Sequence, residues 1–240
     1  MPTVTIIKTG ATLTEVHNRF GDFDQWFIDA LGSERFDYRV VNVHAGQALP
    51  NGIDGSDAVV VTGSPAMVSH RHAWSERTAV WLAEFHQSDK PLLGICYGHQ
   101  LLAHALGGRV GPNPAGRQMG TRLVEVLDRD DRLLAPFAPS AKFQVTHVEA
   151  VLEPPSGARV IARNATDPHH GLYFGGLSWG FQFHPEFDDD IMRCYIQSRA
   201  AVLAGEGIAA DRLLDELAPA PAGRGLMQRF AEIVMQETVA

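Results

Sequence analysis

The sequence predicts an α/β protein: a mostly parallel central sheet with flanking helices, followed by a β-rich, partly antiparallel second half. Three observations predict it. Short apolar runs alternate with amphipathic helical segments through the first 106 residues. One such run passes into a helix through the tight turn Gly94-Ile95-Cys96-Tyr97-Gly98. After Gly111 strand-like segments follow one another with no long helix between them.

The elements follow in order. Val4-Thr5-Ile6-Ile7 is a short apolar run with the character of a buried strand. A helix is expected over residues 22–31, where Phe23, Trp26, Phe27, Ala30 and Leu31 share one face, Asp22 and Asp24 suit the first turn, and Gly32 suits the end. Residues 38–43 and 57–61 are the next strands, the second bounded by Gly63. A helix is predicted over residues 75–85, with Thr78, Trp81, Leu82 and Phe85 on one face, then a strand over 91–95 and a helix over 98–106 stopped by Gly107-Gly108. Buried strands separated by amphipathic helices are βαβ units, and right-handed crossovers place helices on both sheet faces. In the second half, residues 121–127, 142–148, 159–162, 171–177 and 179–183 are predicted strands, followed by a helix over 190–203. The stretch 218–223 is too rich in Pro and Gly to be helical. A last amphipathic segment carries Leu226, Phe230, Ile233 and Val234 on one face, which suits packing on the domain. No internal repeat is present.

Composition narrows the function. Of 240 residues, 45% are hydrophobic and 20% charged, the balance of a globular protein rather than a disordered one. A formal net charge of −8, with no run of Lys or Arg, argues against nucleic-acid and membrane-surface roles. Two cysteines, Cys96 and Cys194, make no disulfide scaffold, and no stretch approaches the roughly 18 apolar residues of a membrane span. The N-terminus has no signal-peptide pattern, so a cytoplasmic protein is expected.

The chemistry gathers at two places. Cys96 stands at the centre of a G-x-nucleophile-x-G turn between an apolar strand and a helix. Such a turn forces the nucleophile into strained backbone angles and demands small neighbours. It leaves the thiol at a helix N-terminus, where free amides and the helix dipole favour an anion, and it aims the Tyr97 amide at a developing oxyanion. The alternative is that Cys96 is a small buried hydrophobe. The second place is Phe181-Gln182-Phe183-His184-Pro185-Glu186-Phe187. In an extended chain His184 and Glu186 point to the same side, so the carboxylate can hold one ring nitrogen while the other serves a thiol. The alternative is an incidental ion pair on a surface loop.

Together, Gly94-Ile95-Cys96-Tyr97-Gly98-His99-Gln100 and the later His184-Pro185-Glu186 resemble the class I glutamine amidotransferases, above all the glutaminase domain of GMP synthase and its stand-alone relatives. The resemblance runs from about Val59 to Phe187. It implies that Cys96 attacks the glutamine side-chain carbonyl and forms a γ-glutamyl thioester, that His184 moves the proton, and that Glu186 orients His184. Thr62-Gly63-Ser64-Pro65 resembles the family's Gly-Gly-Pro turn, which implies an oxyanion hole from the amides of Ser64 and Tyr97, with Gly63 adjacent. Gln100 resembles the glutamine that helps hold substrate, and Thr146-His147-Val148-Glu149 resembles a Ser-His-Gly-Asp loop, so Gln100, His147 and Glu149 are implied substrate-binding residues. Ser64 replaces a glycine, Val148-Glu149 replaces Gly-Asp, and no ATP-binding synthetase loop of the Ser-Gly-Gly-x-Asp type follows.

These readings imply a glutaminase domain over residues 1–204 and a C-terminal helical extension over 205–240. The implied activity is release of glutamate and ammonia from glutamine, with the ammonia passed to a separate synthase or discarded. Hydrolysis of other γ-glutamyl peptides or amides by the same three groups, or a catalytically silent regulatory module, are the alternatives. No cofactor and no metal are expected, and a homo-oligomer is compatible with the sequence. His70, His72, His169 and His170 are expected to be surface or pocket-rim residues, because no Cys or carboxylate partner stands at zinc spacing. His99 is expected to pack under the turn at Cys96, and Trp74 and Trp81 to belong to the core. The loop from Ser64 to Trp74 flanks the site and is positioned to shape specificity.

Overall fold

The computed structural model describes residues 1–239. Nine strands form one sheet in the order β2-β1-β3-β4-β11-β10-β9-β6-β7. They are β1 (Thr3–Lys8), β2 (Asp37–Asn42), β3 (Ala58–Val61), β4 (Leu92–Ile95), β6 (Gln118–Val126), β7 (Ser140–His147), β9 (Arg159–Arg163), β10 (Gly171–Gly175) and β11 (Ser178–Phe181). The pairs from β2 to β11 are parallel, and those from β11 to β7 are antiparallel. The expected fold class is therefore the observed one. A separate antiparallel pair joins β5 (Arg109–Pro112) to β8 (Glu149–Glu153).

Alternation along the strands builds two cores. Val4, Ile6 and Val60 face one way, against Phe27 and Leu31 of α2 (Phe23–Leu31) and against Leu226, Phe230 and Val234 of α8 (Pro221–Val239). Ile7, Val59 and Val61 face the other way, against α3 (Ala73–His86) and α4 (Tyr97–Ala105). A third cluster joins Val16 of α1 (Thr14–Phe20) to Phe23, Trp26, Phe187 and the buried face of α5 (Asp189–Ser198). Trp81 lies in the core and Trp74 is half-buried against it. No helix among the described residues is long and apolar enough to cross a membrane.

Several expectations are corrected. The helix over 190–203 is two helices, α5 and α6 (Ala200–Gly205), broken at Arg199. Residues 221–223, expected to be non-helical, form the first turn of α8, with Pro221 opening it. Proline is favoured there because its missing N–H would have had no partner in the first turn anyway. The strands over 171–177 and 179–183 stop at Gly175 and Phe181. Helices α1 and α7 (Ala210–Asp215) and strands β5 and β8 were unforeseen; α1 and α7 each bury only one side chain, Val16 and Leu213, so they carry almost no apolar period.

Strand register decides where the loops emerge. Val61 pairs with Gly94, and Ile95 with Phe181. The carboxyl ends of β3, β4 and β11 therefore lie side by side. The segments after them, starting at Thr62, Cys96 and Gln182, emerge at one edge, where ligands bind in open parallel sheets.

Candidate active site

Cys96 is the pivot. Its φ of 52° and ψ of −101° lie in a region that L-residues seldom occupy, a strain of order 1–3 kcal/mol. The flanking glycines make the turn possible. A Cβ on Gly94 would stand 2.5 Å from the Gly98 carbonyl oxygen, and one on Gly98 would collide with the Val61 carbonyl. The strained residue is held at both ends: the Cys96 N–H donates to the Phe181 carbonyl at 2.8 Å, and its own carbonyl accepts the first hydrogen bond of α4, from Gln100 N–H at 3.1 Å. The sulfur thus stands at the N-terminus of α4, mostly buried. Its S–H donates to the Thr146 carbonyl at 3.7 Å, and it accepts from Gln182 Nε2 at 3.6 Å.

His184 arrives from the neighbouring strand end. Its backbone N–H donates to the Gln144 carbonyl at 2.8 Å, and its ring stacks on Phe187 with centroids 4.2 Å apart. Nδ1 lies 2.7 Å from Glu186 Oε1, while Nε2 is buried and unpartnered. The pair does not form in the expected extended geometry. Pro185 and Glu186 turn back on His184, closed by a 3.4 Å bond from Phe187 N–H to the His184 carbonyl. Gly63 fixes the approach of ring and thiol: a Cβ there would lie 3.0 Å from His184 Cε1 and 3.7 Å from Cys96 Cβ. Burial alone pulls the His184 imidazolium down, but the Glu186 carboxylate and the Cys96 sulfur outweigh it and push the pKa up to about 10.

Opposite the thiol, the Gly63 carbonyl accepts from the hydroxyls of Thr9 at 3.0 Å and Thr62 at 2.9 Å. In a trans peptide the following N–H, that of Ser64, points away from those hydroxyls. The Ser64 hydroxyl donates to the Thr9 carbonyl at 2.7 Å and accepts from Ala66 N–H at 3.1 Å, so the serine that replaces a glycine staples its own loop. Tyr97 offers its amide at the start of α4, while its hydroxyl is tied to Ser75 at 2.6 Å.

Cys96, His184, Ser64, Tyr97, Gln100, His147 and Glu149 line one cleft of about 110 Å³. That is below the roughly 300–1,000 Å³ of sites for drug-sized ligands, and suits a small amino-acid side chain. Glu186 lies behind His184 and outside the lining. Gln100 has already committed its amide nitrogen, to the Glu149 carbonyl at 2.7 Å and Gln182 Oε1 at 3.0 Å. Both Glu149 carboxylate oxygens accept from Ser69, one from its hydroxyl and one from its N–H at 3.3 Å. His99 is fully buried under the turn, as expected, with Nε2 3.1 Å from the His169 carbonyl, and burial holds its pKa down at about 4.

One expectation about the histidines fails. His70 and His72 are exposed, but His170 is completely buried. Its Nδ1 lies 3.0 Å from Asp167 Oδ2, which is 3.9 Å from His147 Nε2. These three are the residues among those described that come close enough together to hold a metal ion. The Asp167–His170 bond already occupies two of the ligand atoms, and burial pulls His147 down to about 3, so it is neutral. The sequence missed this cluster because Asp167 and His147 are far apart along the chain, and it missed Arg117 and Arg199, which also line the cleft, because no motif surrounds them. Gln182, which donates to the Cys96 sulfur, stands in the stretch that leads to His184, but the sequence assigns it no role.

Comparisons with known proteins bear on the family and the fold. Residues 16–196 match the family described as glutamine amidotransferase class-I. The chain is 42% identical over 142 residues to a GMP synthase [glutamine-hydrolyzing] of Aeropyrum pernix, covering 59% of this chain but only 25% of that protein. It is 26% identical over 183 residues to Gamma-glutamyl peptidase 3 of Arabidopsis thaliana, covering 74% of each. The crystal structure of a glutamine amidotransferase from Thermotoga maritima superposes with a TM-score of 0.77 over 98% of both chains at 19% identity, a likeness of fold. With the match spanning most of its length, the chain belongs to the class I glutamine amidotransferase family.

Proposed function

We propose that the protein is a thiol hydrolase that cleaves the side-chain amide of glutamine through Cys96, His184 and Glu186. The observation that carries this reading is the His184 ring, bonded to Glu186 through Nδ1 and leaving Nε2 unpartnered beside the cleft that Cys96 lines. Cys96 Sγ, having passed its proton to His184, attacks the amide carbon. The amides of Tyr97 and Ser64 receive the oxyanion, with Gly63 giving the peptide its orientation. The carbon–nitrogen bond breaks, His184 returns the proton to the departing nitrogen, and ammonia leaves behind a γ-glutamyl thioester. Water, deprotonated by His184, attacks the thioester; glutamate departs and the thiol is restored. Gln100, His147 and Glu149 hold the amino-acid end of the substrate. No step calls for a metal or a cofactor. Residues 1–204 form the glutaminase unit and 205–240 its helical extension, and the ammonia passes to a separate synthase or is released.

The test is Cys96→Ala in the full chain, followed by glutamate release with circular dichroism as the check on folding. The expected result is a loss of at least about 10³-fold with an unchanged spectrum. Retained activity overturns the mechanism.

A second reading has its own support. The match to a protein named as a γ-glutamyl peptidase, over 74% of each chain, supports a chain that works on γ-glutamyl peptides or amides. The thioester chemistry is identical and only the leaving amine differs. A many-fold preference for a bulky leaving group over ammonia assigns the enzyme to this reading. A silent regulatory module is disfavoured by the complete Cys-His-Glu set, and labelling of Cys96 by a glutamine-mimicking electrophile excludes it.

A further inference from the structure

The cleft contains a cation with nothing to hold. Arg199 stands at the break between α5 and α6, and its side chain reaches the cleft that Cys96 and His184 line. Its Nε is buried with no hydrogen-bond partner, and the guanidinium makes no ion pair among the described residues. A buried donor left unmade is costly, and more so when it is charged.

The neighbours do not supply the missing acceptor. Arg117, the other arginine of the lining, is satisfied by a two-pronged bond to Glu206, at 2.7 and 2.8 Å. That pair fixes a second guanidinium close to Arg199 and leaves the Glu206 oxygens engaged elsewhere. The Tyr195 hydroxyl is tied to the Thr12 hydroxyl. Glu149, the one carboxylate in the lining, is held by Ser69. The lining thus offers a half-buried planar cation, its Nε buried and the group unpaired among the described residues, sharing the cleft with the thiol. A planar guanidinium fits a carboxylate better than any other small anion of an amino acid, because two parallel N–H donors match its two oxygens.

We propose that Arg199 is a substrate-recognition residue that binds a carboxylate of the γ-glutamyl substrate, with Arg117 and Glu206 as positioning residues beside it. The proposal rests on the reading of the cleft as a γ-glutamyl amide site. The carboxylate has two sources: the α-carboxylate of the γ-glutamyl half, or the carboxylate of an amino acid that leaves as the amine. In the first case Arg199 serves every substrate; in the second it selects γ-glutamyl amino acids over free glutamine.

The experiment compares wild type, Arg199→Gln and Arg199→Lys in the full chain on four substrates: glutamine, glutamine α-amide, γ-glutamylglycine and γ-glutamylmethylamide. Loss of one charge-assisted contact is expected to raise KM by about 10- to 100-fold with little change in kcat, and lysine is expected to restore part of it. If the α-carboxylate is the ligand, Arg199→Gln raises KM for the three substrates that carry it and spares glutamine α-amide. If the leaving group's carboxylate is the ligand, γ-glutamylglycine alone suffers. An equal change, or none, across all four overturns the proposal. Calorimetric titration of L-glutamate and of γ-glutamylglycine into Cys96→Ala, with and without Arg199→Gln, needs no turnover. Weaker binding of either in the double variant supports the carboxylate contact even where no amide is hydrolysed, in which case the proposed function fails and this inference stands. Unchanged binding of both overturns it.

Discussion

Replacing Glu186 by glutamine keeps the shape of the turn after His184 and removes its charge. Its carboxylate accepts from His184 Nδ1 at 2.7 Å in a setting where both side chains are almost wholly buried. Burial by itself disfavours the imidazolium; Glu186 first, then the Cys96 sulfur, reverse this and lift the pKa from 6.5 to about 10. At about 1.4 kcal/mol for each tenfold change, that lift is a preference of a few kcal/mol for the charged ring, most of which Glu186→Gln removes. The sign follows from linkage. A pKa raised on folding stabilises the protein fully below the unfolded value near 6.5, and the contribution fades as pH rises through about 10. Wild type is therefore expected to melt well above Glu186→Gln at pH 6, and the gap is expected to close steadily toward pH 10. On the proposed chemistry, glutamine at 186 also stops fixing the tautomer that leaves Nε2 free, so kcat is expected to fall by at least about 10²-fold. Thermal melts across pH 5.5 to 10 and steady-state glutamate release measure both effects. A melting difference independent of pH, or a kcat within threefold of wild type, refutes the account of His184.

Two further outcomes test the frame around the site. Gly98→Ala drives a Cβ into the Val61 carbonyl, a backbone group that cannot step aside, so a loss of several kcal/mol in a denaturant melt is expected, with soluble yield falling; a variant as stable as wild type contradicts the close approach of α4 to β3. Phe230→Ala, in the fully buried face of α8, is expected to cost about 3–5 kcal/mol, and a cost below about 1 kcal/mol contradicts the packing of this helix on the main core.

What could be read from the sequence depends on the range of the interactions. The strands β1, β3 and β4 were legible because Val4, Ile6, Ile7, Val59, Val60, Leu92 and Leu93 are all completely buried, and a strand covered on both faces leaves an uninterrupted apolar run. Cys96 was legible because its turn is a local problem in backbone sterics, which Gly94 and Gly98 solve within two residues on either side. His184 and Glu186 were legible as a pair, but not their geometry: whether the chain runs straight or turns at Pro185 depends on the bridge from His184 N–H to Gln144, a residue 40 positions away. The break at Arg199 left no trace in the helical period, since no Gly or Pro marks it. His170 was misjudged because its ring packs on His147 and Phe183, 23 and 13 positions away along the chain.

That difference in range divides the site into two parts. The proposed nucleophile and base stand at the ends of β4 and β11, strands paired residue by residue through Ile95 and Phe181, so their separation is set by the sheet itself. The sheet can bear the strain at Cys96 because Gly94, Gly98 and the Phe181 carbonyl leave the turn no cheaper conformation. Apart from Thr146 and His147 at the end of β7, much of the remaining wall comes from outside the sheet: Ser64 to Met67 from one loop, Arg117 from before β6, and Tyr195 and Arg199 from the end of α5. Substitutions there disturb neither strand register nor the turn at Cys96. On the proposed chemistry, one geometry for opening an amide can thus be paired with different walls, and the choice between ammonia and a larger amine as leaving group falls where the pattern of the sequence is weakest. The full set of changes needed to move from one substrate to the other is accordingly expected in the loop after β3 and around Arg199, with Cys96, His184 and Glu186 untouched.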